Sequence, residues 1–95
     1  MTSRKTVEFC GFRMHVVLYD NVPDEDELII LQLCTDIAAG SSCSMGEMES
    51  IFGLFGIPLE EVPNKWVFNP VDVAEDFLRA FKEIYPDYRK GSGND

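Results

Sequence analysis

The stretch Asp24–Gly40, DEDELIILQLCTDIAAG, constrains the fold of this chain most, because it is the most apolar run and is punctuated at both ends. Asp24 is an N-cap residue with Glu27 three positions on, the spacing of a capping box, and Val22 is placed for a hydrophobic staple. The carboxylates at 24–27 suit the positive end of a helix dipole, and Gly40 can supply the left-handed residue that stops a helix. Between them Leu28, Ile29, Ile30, Leu31, Leu33, Cys34, Ile37 and Ala38 leave only a narrow polar stripe of Glu25, Gln32, Thr35 and Asp36. A helix apolar round most of its circumference is normally covered on several sides, so this one is expected at the centre of the core. A strand over Leu28–Cys34 is the rival reading, since short apolar runs are ambiguous by period alone.

The segments on either side are read by the same local rules. Thr2–Lys5 is expected to fray. Thr6–Phe9 and Phe12–Tyr19 predict a β-hairpin, with Cys10-Gly11 as a type I′ turn in which cysteine at the first position is unusual. Phe12, Met14, Val16 and Leu18 should face the core, and Arg13, His15, Val17 and Tyr19 a wetter side. Asp20-Asn21-Val22-Pro23 is then a turn into the long helix.

Downstream, Ser44 with Glu47 makes a second capping box, predicting a helix over about Met45–Phe55 with Met48, Ile51, Phe52 and Phe55 on one face. Gly56-Ile57-Pro58 ends it. Pro58–Val62 suits one more helical turn, and Trp66-Val67-Phe68 a short extended piece. A last helix begins with Asn69 as cap, Pro70 at N1 and Asp72 at N3, and stops at Pro86. Its apolar face is Ala74, Phe77, Leu78, Phe81, Ile84 and Tyr85, with Glu75–Arg79 and Arg79–Glu83 pairs outside. Residues 87–95 read as a mobile tail.

Together these elements predict a small α+β fold in one domain spanning residues 1–95, a hairpin packed on about three helices, with 1–5 and 87–95 as flexible ends. A 45% hydrophobic content with seven phenylalanines suffices for one core. Ninety-five residues bury only about two-thirds of the unfolded surface, so a partner or a second copy would help. No run approaches a membrane span and the start lacks a signal-peptide apolar region, so a cytoplasmic protein is expected. Three cysteines without CxxC spacing fit reduced thiols better than a disulfide framework or a zinc knuckle.

Charge carries most of what the sequence says about partners. The net charge is −9, and no lysine or arginine occurs between Arg13 and Lys65. That interval holds Asp20, Asp24, Glu25, Asp26, Glu27, Asp36, Glu47, Glu49, Glu60 and Glu61. Direct contact with nucleic-acid phosphates requires the opposite sign. A solvated surface that maintains solubility is the commoner meaning of such charge, and a face that steers toward a basic partner is the sharper one.

The chemical constellations are sparse. His15 is the sole histidine, and no catalytic signature surrounds Cys10, Cys34 or Cys43. A calcium loop counted from Asp20 fails, with Val22 third and Glu25 sixth. Met45–Val62 has a helix-turn-helix cadence, but its second segment offers Leu59, Glu60, Glu61 and Val62 where DNA readers carry cations and amides. No phosphate-cradling loop is present. The run Ile51–Ile57, IFGLFGI, cannot all be buried by one helical face; either the core takes it, or it forms an apolar patch edged by Glu47, Glu49, Glu60 and Glu61.

The expected function is accordingly a non-enzymatic interaction module without cofactor or metal. Its acidic residues would meet a protein partner's basic surface, with Phe52, Phe55 and Trp66 as anchors. One version is an inhibitor that presents carboxylates where nucleic-acid phosphates would sit. Small phage-encoded inhibitors of nucleic-acid-processing machinery resemble the chain in size and charge only. The alternative is a homo-oligomeric structural or accessory subunit, a homodimer in its simplest form.

Overall fold

A computed structural model describes residues 2–19, 22–64 and 69–88. Strands β1 (Ser3–Phe9) and β2 (Phe12–Leu18) form an antiparallel hairpin, followed by helices α1 (Glu25–Ala38), α2 (Met45–Gly53) and α3 (Pro70–Ile84). A single 3₁₀ turn, Leu59–Glu61, follows α2. The architecture is α+β, as the patterns predict. The turn at 20–21 and the piece Trp66–Phe68 lie outside the described residues.

Local signals set the helix ends. Asp24 accepts from the Glu27 N–H at 2.8 Å while Glu27 accepts from the Asp24 N–H at 3.0 Å, and Ser44 and Glu47 repeat the arrangement on α2. Gly40 and Gly56 adopt φ of 113° and 74°. The Ser41 N–H returns to the Asp36 carbonyl and the Ile57 N–H to the Phe52 carbonyl, so a Schellman closure ends both helices. Two details differ from expectation. Val22 is 69% exposed, and Pro23 beside it is the buried residue. Asn69 precedes α3 without a side-chain capping bond, and Pro70 occupies the first turn as predicted.

The apolar surfaces meet around α3 rather than α1. Val73, Ala74, Phe77, Ala80, Phe81 and Ile84 make one fully buried stripe of α3. This helix packs against both α1 and β1. The Cα envelope measures 37 × 29 × 17 Å, and helices pack about 8–10 Å apart, so the thin direction holds two layers and no helix can be enclosed. Helix α1 therefore buries only Ile30, Cys34 and Ile37, while Ile29 is 57% exposed. The expectation of an enclosed central α1 is overturned by this geometry. Phe9, Phe52 and Phe77 fill the middle, with the Phe9 ring 5.1 Å from Phe52, 5.0 Å from Phe55 and 6.2 Å from Phe77.

The hairpin follows its predicted alternation. Leu18 is buried and Phe12, Met14 and Val16 are half-buried, whereas Arg13, His15, Val17 and Tyr19 are exposed. Cys10 and Gly11 have φ of 53° and 88°, the left-handed pair of a type I′ turn. A cysteine fits there because the turn is docked, not solvated. Its side chain is in the core, and its N–H donates to Asp76 Oδ2 on α3 at 2.6 Å. Arg79 donates to Asp76 Oδ1, to Glu83 and to the Glu8 carbonyl, so Asp76 takes the place expected of Glu75.

The expected frayed start is also corrected. Ser3–Lys5 pair with Val16–Leu18, and Lys5 Nζ donates to the carbonyls of Glu83 and Ile84 at 3.1 and 2.9 Å. A cation on the last carbonyls of α3 complements the helix dipole and pins the strand. At the other end, Tyr88 is half-buried with its ring 5.6 Å from Phe81, so the tail joins the core at this residue.

Phe52→Ala should cost about 3–5 kcal/mol through the cavity it leaves, whereas Ile29→Ala should stay within about 0.5 kcal/mol, both read from urea denaturation.

Candidate interaction surface

The acidic residues divide into carboxylates engaged in local structure and carboxylates left outside. Asp24, Glu27 and Glu47 are held in capping boxes, and Glu27 further accepts from the Tyr85 hydroxyl at 2.8 Å, tying α1 to the end of α3. Asp36 accepts from Gln32 Nε2 at 3.0 Å. It lies twelve residues beyond Asp24 on the same helix, about 18 Å along the axis, and so does not join the 24–27 cluster. Glu25, Asp26, Glu49, Glu60 and Glu61 are exposed. Asp20 and Trp66 fall outside the described residues.

Two hollows bring these carboxylates beside apolar side chains. One, of about 370 Å³ between α1 and α2, is lined by Asp26, Ile29, Ile30, Ser50, Gly53 and Leu54. The other, of about 350 Å³, is lined by Met45, Glu49, Leu59, Glu60, Val62 and Asn64. The exposed stripe of α2, Gly46-Glu49-Ser50-Gly53, has i, i+3, i+4, i+7 spacing and runs between them. Ile29 and Met45, 57% and 59% exposed, are the large apolar side chains presented there.

The expected anchors fare differently. Phe52 is fully buried and cannot touch a partner in this fold, because α2 turns it toward Phe9. Phe55 is half-buried between Phe9 and Phe77. The core thus absorbs most of Ile51–Ile57, leaving the edges of α1 and α2 as the apolar surface. The exposure of Ile29 follows from α1 having more apolar residues than its one packed side can cover. Hydrophobicity alone does not separate Ile29 from the apolar residues of α1 that are covered.

Salt bridges among the described residues are Arg13–Glu8, Arg79–Asp76 and Arg79–Glu83. All lie in the hairpin or on α3. No described carboxylate between Asp24 and Glu61 is paired with a cation.

Among the described residues no three of His, Cys, Asp and Glu are grouped to hold a metal ion, and no helix is long and apolar enough to cross a membrane. The three cysteines are free thiols. Burial pushes Cys34 up to about 12, and burial followed by the Asp76 carboxylate pushes Cys10 higher still. Burial and then Glu47 raise Cys43. His15 accompanies Thr6 on the exposed face of the hairpin, with Nδ1 3.2 Å from Oγ1. No protein-family model matches the chain, and neither curated proteins nor solved structures gave a match.

Raised thiols carry a pH prediction. The folded state favours neutral Cys34, so this contribution is complete below about pH 9 and is lost as pH rises toward about 12. Urea midpoints should fall across that alkaline window, and Cys34→Ala should flatten the fall. At neutral pH all three thiols should react more slowly with iodoacetamide than an unfolded control.

Proposed function

We propose that this protein is a non-enzymatic interaction module that binds the basic surface of a protein partner through the carboxylates around α2. The carrying observation is the separation of charge. The described salt bridges lie in the hairpin and on α3, and the exposed carboxylates Glu25, Asp26, Glu49, Glu60 and Glu61 have no cation of their own. Carboxylates without a cation, carried on α1, α2 and the 3₁₀ turn, form a negative surface whose backbone is already ordered before binding. Ile29 and Met45 supply apolar contact within that field, the role first expected of Phe52 and Phe55. A partner that normally holds nucleic acid would meet carboxylates where phosphates sit, which makes inhibition by mimicry the specific form of the proposal. The three free thiols and the reading of the chain as cytoplasmic support a reducing setting for it.

The test is capture from host lysate by tagged protein, beside a variant with Asp26→Lys, Glu49→Lys and Glu60→Lys. A basic partner should be retained at low salt, released at high salt, displaced by added nucleic acid and missed by the variant. Ile29→Ala should weaken retention without altering its salt dependence. Capture that survives charge reversal sinks the proposal.

A further inference from the structure

The two edges of the hairpin are not equivalent. A two-residue turn makes Phe9–Phe12 a hydrogen-bonded pair, and Val7–Met14, Lys5–Val16 and Ser3–Leu18 continue that set. The intervening residues point their N–H and C=O groups outward: Arg4, Thr6 and Glu8 on β1, and Arg13, His15 and Val17 on β2. On the β1 side Arg79 takes the Glu8 carbonyl, and Lys5 and Cys10 are tied to α3. On the β2 side no described residue bonds the outward groups of Arg13, His15 or Val17. Strand β2 also lacks the proline, bulge or central lysine that usually blunts an exposed edge.

We propose that the open edge of β2 pairs antiparallel with the same edge of a second copy of this chain, about a two-fold axis at His15. In that register His15 faces His15, and Arg13 faces Val17 of the second copy. All are outward-bonding positions, so six N–H···O bonds join two hairpins into one four-stranded sheet. On the underside Met14 meets Val16, and half-buried Phe12 meets the edge of buried Leu18 across the seam. A slip of one residue would set these against the polar set and is excluded by the alternation.

Charge complementarity at the seam rests on Arg13. Arg4 and Lys5 lie on β1, away from the seam, and Lys5 is tied to the end of α3, which leaves Arg13 as the cation at the β2 edge. Val17 lines a hollow of about 490 Å³ together with Asp24 and Glu27. Arg13 of the second copy, placed opposite Val17, stands at the rim of that hollow beside carboxylates that lack a cation.

Sedimentation equilibrium from micromolar to submillimolar concentration should show the mass rising from one chain to two, with slowed exchange at the Arg13, His15 and Val17 amides. Val17→Lys sets a lysine against Arg13 at two symmetric places and should weaken pairing about tenfold. His15→Pro removes an N–H that points away from β1, so the hairpin's own ladder stays intact and the mass should return to one chain. Circular dichroism, and a melting midpoint equal to the parent's at the lowest concentration, where both are single chains, establish that each variant folds. One-chain mass at every concentration overturns the proposal. So does a dimer that both variants leave unchanged, or protection of these amides only when an extended peptide from another protein is added.

Discussion

A two-stranded sheet has too little buried surface to hold itself together, and here the hairpin is secured by one carboxylate. Asp76 projects from α3, accepts the Cys10 N–H from the apex of the turn, and is itself held by Arg79. Arg79 reaches on to the Glu8 carbonyl, so one ion pair grips the turn and the strand before it. Cys10 holds a left-handed conformation that disfavours residues with a Cβ. That conformation is sustained because the side chain is buried and the amide is bonded. With the turn anchored, Val7 and Phe9 are committed to the core, and Phe9 organises the rings of Phe52, Phe55 and Phe77.

What could be read from the sequence was what depends on near neighbours. Both capping boxes, both glycine stops, the turn and the alternation of β2 are set by residues within five positions of one another. The partners of Lys5, Asp76 and Tyr85 lie 58 to 79 residues away, and no spacing rule announces them. The same limit explains the misplaced centre. Helix α1 is no richer in apolar residues than α3, but its apolar positions run round most of its circumference, whereas α3 gathers its own into one stripe, and Ala74 and Ala80 allow its backbone close to its neighbours. In a molecule only two layers thick, a helix rich in apolar residues must leave some outside, and α1 leaves Ile29.

The candidate surface was half legible for the same reason. Runs of carboxylates without intervening cations can be counted directly, so Glu25, Asp26, Glu49, Glu60 and Glu61 were identifiable. Their usefulness to a partner depends on what each already holds: the caps that occupy Glu27 and Glu47 were legible by spacing, whereas the Tyr85 hydroxyl on Glu27 was not. The anchors were less legible because Phe52 and Ile29 have equal claims by hydrophobicity. Helical phase turned one to the core and the other to solvent.

The join between β1 and α3 gives the chain the topology of a ring. Lys5 rests on the carbonyls of Glu83 and Ile84, so the first strand of this domain waits for residues made 78 and 79 positions later. A nascent chain lacking α3 has capped helices and a hairpin, and Phe52 and Phe55 to meet Phe9, but neither Phe77 nor the carboxylate that holds the turn. Its apolar side stays open to chaperones and proteases until α3 emerges. Premature termination before Pro70 would therefore yield no partly working domain, and the cell's quality control would meet an all-or-none product.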